Sequence, residues 1–287
     1  MLIDEALVGA LVAEQLPAGA HLPVRAVLPG GWDNRTFRLG DDLAARLPSA
    51  EGYVAAVAKE QRWLPLLAPQ LPLPVPEPVA AGRPGAGYPW PWSVNRWLSG
   101  VPARLGVPDP HRFAVDLAGF LAALRAADAT DGPAAGPHSF FRGGDLAVYE
   151  AEARAAIIGL DDRDLAAWAS RLLDRALATR WTRPPVWVHG DVADGNLLVS
   201  AGRLSAGIDF GSSAVGDPAG DLVIAWTSFD RATAEVFRDA VGLDDATWDR
   251  AAGWALWKAL ITLDDPGAHR TLQRLREDHP DAGSSRR

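Results

Sequence analysis

The sequence predicts an α+β protein with two lobes, a small N-terminal lobe with an antiparallel sheet and a larger, mainly helical C-terminal lobe. Two observations predict this division. Short apolar runs separated by glycine and proline turns fill the first third of the chain, as in strands. From Asp109 onward, apolar residues recur at three- and four-residue spacing, which is typical of helices. The lobe boundary is expected near Ser99-Gly100, giving an N-terminal domain of residues 1–98 and a C-terminal domain of residues 99–287.

The N-terminal lobe is predicted to begin with a helix, because Leu7, Val8, Leu11 and Val12 follow helical spacing. Strands are predicted at 21–28, 34–39, 42–47 and 92–98, the second and third joined as a hairpin through Gly40-Asp41. A helix is predicted over 54–67. The proline-rich passage 71–78 is expected to run extended over the surface, since proline disrupts helices and central strands.

The C-terminal lobe is predicted to be helical after Asp109, with a loop over 128–144 and helices over 145–158 and 161–178. Short strands are predicted at 186–188, 197–199 and 204–208. Helices are predicted again from Pro218 to about Leu263. The polar tail, residues 284–287, is expected to be disordered.

Composition and charge exclude several functions. The 287 residues include no cysteine, which excludes a disulfide framework, a thiolate metal site and a cysteine nucleophile. The net charge of −8 argues against nucleic acid as a partner. An acidic surface would favour a cationic small-molecule acceptor, although an excess of acidic residues is more often simply a solvated face. No apolar run is long enough to span a membrane, and the first residues are acidic where a secretory signal is basic. A cytoplasmic protein without membrane partners is therefore expected.

The most informative segment is His189-Gly190-Asp191-x4-Asn196, followed by Asp209-Phe210-Gly211. Apolar strands flank the polar loop and would hold its side chains on a rigid base. Asp191 can accept the proton of a hydroxyl, and Asn196 and Asp209 offer the hard oxygen ligands that Mg²⁺ prefers. The alternative is structural: Asp191 caps a turn, Asn196 satisfies backbone groups, and Asp209 marks a hairpin exit.

Together these motifs resemble those of the aminoglycoside phosphotransferase family, relatives of the protein kinases. In protein kinases the first motif would read His-Arg-Asp, so Gly190 indicates the small-molecule branch. The resemblance implies a two-lobed protein-kinase-like fold with Asp191 as the catalytic aspartate. It also implies that His189 supports the loop by hydrogen bonding and that Asn196 and Asp209 ligate Mg²⁺.

The same resemblance assigns nucleotide contacts to the N-terminal lobe. Arg46, with Glu60 as its partner, occupies the place of the strand lysine that contacts the α- and β-phosphates of ATP or GTP. The alternative is an exposed surface pair of little energetic weight. Arg96-Trp97-Leu98 resembles the hinge that holds the purine through backbone groups. The Pro29–Asn34 turn lies where a phosphate-covering loop belongs, although two glycines there are equally typical of a hairpin turn.

Asp217, before Pro218, is predicted to cap a helix. Asp221 is predicted to brace the catalytic loop, with simple capping or solvent exposure as the alternatives. The function predicted is Mg²⁺-dependent transfer of the γ-phosphate of ATP or GTP to a hydroxyl of a small molecule. Aminoglycoside-type antibiotics are the leading acceptor class, with antibiotic resistance as the implied role. Macrolides, other antibiotics, choline, homoserine, sugars and a non-catalytic nucleotide-binding protein remain alternatives. Residues expected to select the acceptor, or else to form a solvated helical face, are the 140–145 loop, Glu150, Glu152, Asp161 and Asp162.

Overall fold

The computed structural model describes residues 2–280, so the tail predicted to be disordered lies outside the described residues. The described chain divides into two compact units. The first comprises the residues up to Gly100 together with Ser205–Gly211, and the second comprises Val101–Leu204 and the residues from Ser212 onward. Sequence analysis placed Ser205–Gly211 in the C-terminal domain. The predicted α+β class is confirmed: the first unit has an antiparallel sheet and the second is mainly helical.

The first unit is built on a five-stranded antiparallel sheet of order β1-β2-β3-β5-β4. Its elements, in chain order, are α1 (Glu5–Gln15), β1 (Val24–Ala26), β2 (Asn34–Leu39), β3 (Leu43–Pro48), α2 (Val54–Leu67), β4 (Pro78–Gly82) and β5 (Trp92–Arg96). The hairpin between β2 and β3 turns at Gly40, whose φ of +61° is a left-handed conformation that favours glycine.

Three details of this sheet differ from the prediction. The first strand is shorter than the predicted 21–28, and β5 ends at Arg96 and not at Leu98. The prediction also missed β4, which begins at Pro78. Because β4 lies at the edge of the sheet, its first residue can be a proline without loss of a ladder hydrogen bond.

The two faces of this sheet have different roles. One face packs on α1 through buried apolar residues that include Val8, Leu11, Leu47, Trp92 and Val94. Side chains alternate between faces along a strand, so the residues between these apolar positions lie on the opposite face. Arg46 of β3 and Asn95 of β5 are such residues, and the register pairs Arg46 with Ser93 and Ala44 with Asn95. This second face therefore carries the polar side chains.

The second unit is mainly helical. Its elements, in chain order, are β6 (Val101–Pro102), α3 (Pro110–Ala126), α4 (Glu150–Ile158), α5 (Arg163–Leu177), β7 (Val186–Val188), β8 (Leu197–Ser200), β9 (Arg203–Gly207), β10 (Ala214–Gly216), α6 (Ile224–Thr227), α7 (Arg231–Val241), α8 (Asp245–Ile261) and α9 (Pro266–Asp278). The chain passes from the second unit into the first within β9. No helix among residues 2–280 is both long and apolar enough to cross a membrane.

The strands around the predicted catalytic loop belong to different sheets. β7 pairs with β10, and β8 pairs with β6, two partners that were too short to be recognised from the sequence. The sequence predicted that the helices end near Leu263. This was also wrong, because the helix α9 follows. The signal for α9 was present: Asp265 caps the helix by accepting the N–H of Gly267, and Pro266 occupies its first position.

Candidate active site

The loop that follows β7 begins with a conformation that only glycine tolerates. Gly190 has a φ of +82°, and a Cβ atom there would lie 2.3 Å from the backbone oxygen of Ser212 and 3.0 Å from the Cβ of Arg142. An arginine at this position would therefore require the backbone to move. This packing explains physically why the motif contains Gly190.

A buried carboxylate fixes the start of this loop. The two oxygens of Asp221 accept the backbone N–H groups of His189 and Gly190, each at 2.8 Å. Burial raises the pKa of Asp221, while His189, the two backbone hydrogen bonds and Arg125 act to lower it. The sequence allowed bracing of the loop, capping or solvent exposure for Asp221, and the structure shows a buried side chain that is hydrogen-bonded to the loop.

Asp221 is itself positioned by a buried ion pair. Asp217 caps the short 3-10 turn Pro218–Leu222 by accepting the N–H of Ala219, as predicted. Its carboxylate forms two hydrogen bonds with Arg250 of α8, at 2.6 and 3.2 Å, and both side chains are buried. Arg250 of α8 therefore binds Asp217, and Asp217 caps the turn whose Asp221 holds the loop.

Asp191 and Asn196 lie together at the two ends of the loop. The amide nitrogen of Asn196 donates to the backbone oxygen of Asp191 at 3.0 Å and to its carboxylate at 2.8 Å. The ring of His189 is fully buried, and its Nδ1 accepts the backbone N–H of Asp191 at 3.3 Å. The Asp191 side chain remains 41% exposed, so its carboxylate is held in place and still open to a ligand.

Two cations lie near Asp191, and the sequence singled out neither as a site residue by itself. Lys258 of α8 places its Nζ 3.8 Å from Asp191 Oδ1. Arg142 lies over the rings of Trp254 and Trp257. Burial lowers the pKa of Arg142, and the charge of Asp191 acts in the opposite direction. The only sequence signal was the membership of Arg142 in the 140–145 loop.

In the first unit, Arg46 bridges two carboxylates. One guanidinium nitrogen contacts Glu60 at 3.0 and 3.2 Å, and another contacts Asp209 at 2.8 Å. Burial alone would lower the pKa of Arg46, but the charges and hydrogen bonds of both carboxylates outweigh it and raise the pKa. The Arg46 and Glu60 side chains are only 12% and 7% exposed. This is a buried arrangement and not the exposed surface pair that was the alternative.

The same sheet face holds a second polar residue that sequence analysis missed. Asn95 is 2% exposed, and neither its amide nitrogen nor its amide oxygen has a hydrogen-bond partner among the described residues. Buried polar atoms are normally paired in folded proteins. Asn95 therefore stands out on the face that carries Arg46, although nothing in its sequence neighbourhood distinguishes it.

The predicted hinge residues lie at the end of β5. The N–H of Arg96 donates to the backbone oxygen of Glu77, and the N–H of Trp97 donates to that of Asp42. A purine held along Arg96-Trp97-Leu98 would therefore use other backbone groups of this segment. The Arg96 side chain is exposed and pairs with Glu77 at 3.3 Å.

The remaining predicted site residues have local roles. In the Pro29–Asn34 turn, a Cβ atom at Gly31 would lie 2.8 Å from the backbone oxygen of Asn34. Glu150 pairs with Arg154, Glu152 accepts the ring N–H of Trp257, and Asp162 caps α5. Asp161 is exposed before that helix. None of these four carboxylates lines the cavity beside Asp191.

Sequence comparison identifies the family. The family model for the Phosphotransferase enzyme family matches residues 25–254, and the chain therefore belongs to this family. The matched span includes both the Arg46 cluster and the Asp191 loop, so the predicted family resemblance is confirmed. No curated protein matches the chain significantly.

Solved structures of similar fold cover nearly the whole chain. A mutant of aminoglycoside 2′-phosphotransferase-IIIa in complex with GDP has a TM-score of 0.78 at 19% identity, covering 98% of this chain and 100% of its own. The GDP and kanamycin complex of APH(2″)-IIIa has a TM-score of 0.74 at 20% identity, covering 94% and 97%. Macrolide 2′-phosphotransferase MphH from Brachybacterium faecium has a TM-score of 0.62 at 21% identity, covering 99% of each chain. At these identities the likeness shows the fold, and it confirms the predicted kinase-like architecture.

Proposed function

We propose that the protein transfers the γ-phosphoryl group of ATP or GTP to a hydroxyl of a small molecule, in a Mg²⁺-dependent reaction. The observation that carries this proposal is the Asp191 carboxylate, held by Asn196 on a loop that Asp221 fixes, and still open to a ligand. Family membership supports a phosphotransferase, and similar folds in complex with GDP, ADP or ATP support a nucleotide donor.

In the proposed step, the acceptor oxygen attacks the γ-phosphorus and the bond to the β–γ bridging oxygen breaks. Asp191 orients the acceptor hydroxyl and takes its proton, and the nucleoside diphosphate leaves. Such transfer depends mainly on positioning and on neutralising charge. The hydrogen bond from Asn196 keeps the Asp191 carboxylate in one orientation.

The side chains of Asn196 and Asp209 fit the role of magnesium ligands. Asn196 donates through its amide nitrogen, which leaves its amide oxygen for a metal. Asp209 uses one carboxylate oxygen for Arg46, which leaves the other. Among residues 2–280 no group of three or more histidine, aspartate or glutamate side chains forms a metal site. Asn196 and Asp209 would hold Mg²⁺ through these oxygens, and the ion would supply positive charge that neutralises the phosphates.

Arg46 would contact the nucleotide phosphates, with Glu60 fixing its guanidinium.

One observation favours a second candidate function, a non-catalytic nucleotide-binding protein. Arginine occupies the position where most kinase-like proteins have lysine, and its guanidinium already binds the carboxylates of Glu60 and Asp209.

We also place the protein in the cytoplasm, where ATP and GTP are available.

Aminoglycoside-type antibiotics are the first acceptors to test, because similar folds have been solved with kanamycin, streptomycin and gentamicin. Macrolides are also included among the acceptors to test, because one of the similar folds is a macrolide phosphotransferase. Choline, homoserine and sugars complete the panel. Phosphorylation of an antibiotic would make the protein a resistance enzyme.

The test is a transfer assay with γ-labelled ATP and GTP, with and without Mg²⁺, against this acceptor panel. We expect a labelled phosphate ester from at least one acceptor, and only when Mg²⁺ is present. Nucleotide binding without transfer to any acceptor would favour the non-catalytic candidate.

A further inference from the structure

A cavity of about 270 Å³ lies within the second unit beside Asp191. This volume is near the lower end for small-molecule sites, so it suits a compact ligand or one part of a larger ligand. Most of the residues that line it are small and uncharged: glycine, alanine, serine and threonine. The charged residues that line it are Arg142, Asp191, Asp194, Lys258 and Asp265.

No carboxylate among residues 2–280 lies within ion-pair distance of the Arg142 guanidinium, although the charge of Asp191 acts on it. Its guanidinium lies 4.8 Å from the ring centre of Trp257 and 5.3 Å from that of Trp254. The ring of Tyr149 stacks on the ring of Trp257, with 4.0 Å between the two ring centres, and this contact helps to hold Trp257 in place. The Arg142 side chain forms no hydrogen bond with another residue between 2 and 280, and the Ser139 hydroxyl donates to the Arg142 backbone oxygen. Aromatic rings thus fix the guanidinium, and its N–H donors stay available to a ligand.

Lys258 adds a second positive charge at the same cavity. Its Nζ is 3.8 Å from Asp191 Oδ1, within electrostatic reach but too far for a hydrogen bond. The ammonium therefore keeps its three donors for a ligand beside the catalytic carboxylate. The lysine is 43% exposed, so a ligand in the cavity can reach it.

Three carboxylates line the cavity beside these two cations: Asp191, Asp194 and Asp265. Asp265 caps α9 by accepting the N–H of Gly267 at 2.7 Å. Asp191 accepts the amide N–H of Asn196 and, in the proposed reaction, binds the acceptor hydroxyl. A polycationic acceptor with an ammonium group beside Arg142 and Lys258 would be repelled by both cations.

We propose that Arg142 and Lys258 form an anion subsite, and that the acceptor carries a carboxylate or a similar anionic group close to the hydroxyl that is phosphorylated. This inference rests on the proposed function and favours anionic acceptors over the polycationic aminoglycosides of the test panel. Arg142 supplies a planar fork for two oxygens and Lys258 a point charge, a combination suited to a carboxylate. The hydroxyl of such an acceptor would lie at Asp191.

The test compares three probes of one chain length: γ-hydroxybutyrate, its carboxamide and the corresponding amino alcohol. Turnover is measured with Mg²⁺-ATP and Mg²⁺-GTP, and kanamycin serves as a polycationic comparator. Binding of each probe without nucleotide is measured separately by saturation-transfer NMR. The variants are Arg142→Gln and Arg142→Lys, with Arg154→Gln as the control, because Arg154 is an exposed arginine outside the cavity.

We expect the carboxylate probe to have a KM about tenfold or more below that of its carboxamide, equivalent to about 1.4 kcal/mol. Arg142→Gln should remove this preference through KM with little change in kcat. Arg142→Lys should keep part of it, and Arg154→Gln should keep all of it. Equal use of the three probes by the wild-type protein, or better use of the amino alcohol or kanamycin, would overturn the inference.

Two further outcomes separate this inference from the proposed function. Loss of kcat in Arg142→Gln by the same factor for every probe would assign Arg142 to the transferred phosphoryl group, which contradicts an acceptor subsite. Carboxylate binding that Arg142→Gln abolishes, without turnover of any probe by the wild-type protein, would support the anion subsite and contradict the proposed transfer.

Discussion

The buried pair of Arg250 and Asp217 allows a sharp test of how the fold positions the proposed catalytic loop. Arg250 and Asp217 are 3% and 7% exposed, and their two hydrogen bonds measure 2.6 and 3.2 Å. Arg250 also donates to the backbone oxygen of Ala246 and to the hydroxyls of Thr179 and Thr247. The substitution Arg250→Met removes all of these bonds and leaves the Asp217 carboxylate buried without its cation.

Removal of one partner from a buried ion pair typically costs about 3–5 kcal/mol. We therefore expect Arg250→Met to lower the free energy of unfolding by about that amount. The assay is urea unfolding followed by tryptophan fluorescence. The matched control is Arg183→Met, because Arg183 and Asp244 also lie 2.6 Å apart but are 57% and 43% exposed. An exposed pair typically contributes about 0–1 kcal/mol.

Arg250→Lys keeps the charge but loses the planar fork, so its stability should lie between that of the wild type and that of Arg250→Met. In a transfer assay under conditions where it is still folded, Arg250→Met should have a lower kcat, because Asp217 precedes the turn that holds Asp221. A loss of stability no larger than that of Arg183→Met would refute the role given to this pair.

Three further predictions concern the loop, the nucleotide and pH. Gly190→Ala should abolish transfer, because its Cβ would lie 2.3 Å from the Ser212 backbone oxygen, and kinetics on the folded variant check this. Arg46→Lys should weaken the proposed nucleotide binding in calorimetry by about tenfold, because an ammonium lacks the planar fork with which Arg46 binds Glu60 and Asp209 together. Burial, with nearby arginines, lowers the pKa of His279 from 6.5 to about 4. Its contribution to stability is therefore present above pH 6.5 and lost as the pH falls toward 4, in total about 3 kcal/mol. Urea unfolding across this range should show the loss, and His279→Gln should reduce it.

The sequence predicted most of the larger elements because their apolar periodicity was strong. The predicted 54–67 helix has the bounds of α2, and Asp109 caps α3 as the change of pattern indicated. The short strands β6 and β10 were not predicted, because two or three residues carry no periodicity. β7 is as short as β10 but was predicted, because all three of its residues are large and apolar. Their strand character comes from pairing with residues distant in the chain, which a local pattern does not contain.

The residues of the candidate site also fall into two groups: those that a local motif indicates and those that only the tertiary fold brings together. Asp191, Asn196 and Asp209 were predicted as site residues because they belong to two short motifs that local sequence reveals. Lys258 was not, because it reaches Asp191 from α8, far along the sequence, and only the tertiary fold brings the two together. Asn95 escaped for another reason. An unpaired amide is recognised only when the hydrogen bonds of its surroundings are known.

The most direct test of the central claim is the effect of Asp191→Asn on the rate of transfer and on nucleotide affinity, measured on the same preparation. The substitution keeps the size of the side chain and removes its capacity to take a proton. We expect kcat to fall by about 10²–10⁴-fold, the range for loss of general base catalysis, with nucleotide affinity nearly unchanged. Asp239→Asn, which replaces an exposed aspartate on α7, should match the wild type. A kcat for Asp191→Asn close to that of Asp239→Asn would contradict the assignment of Asp191 as the catalytic carboxylate.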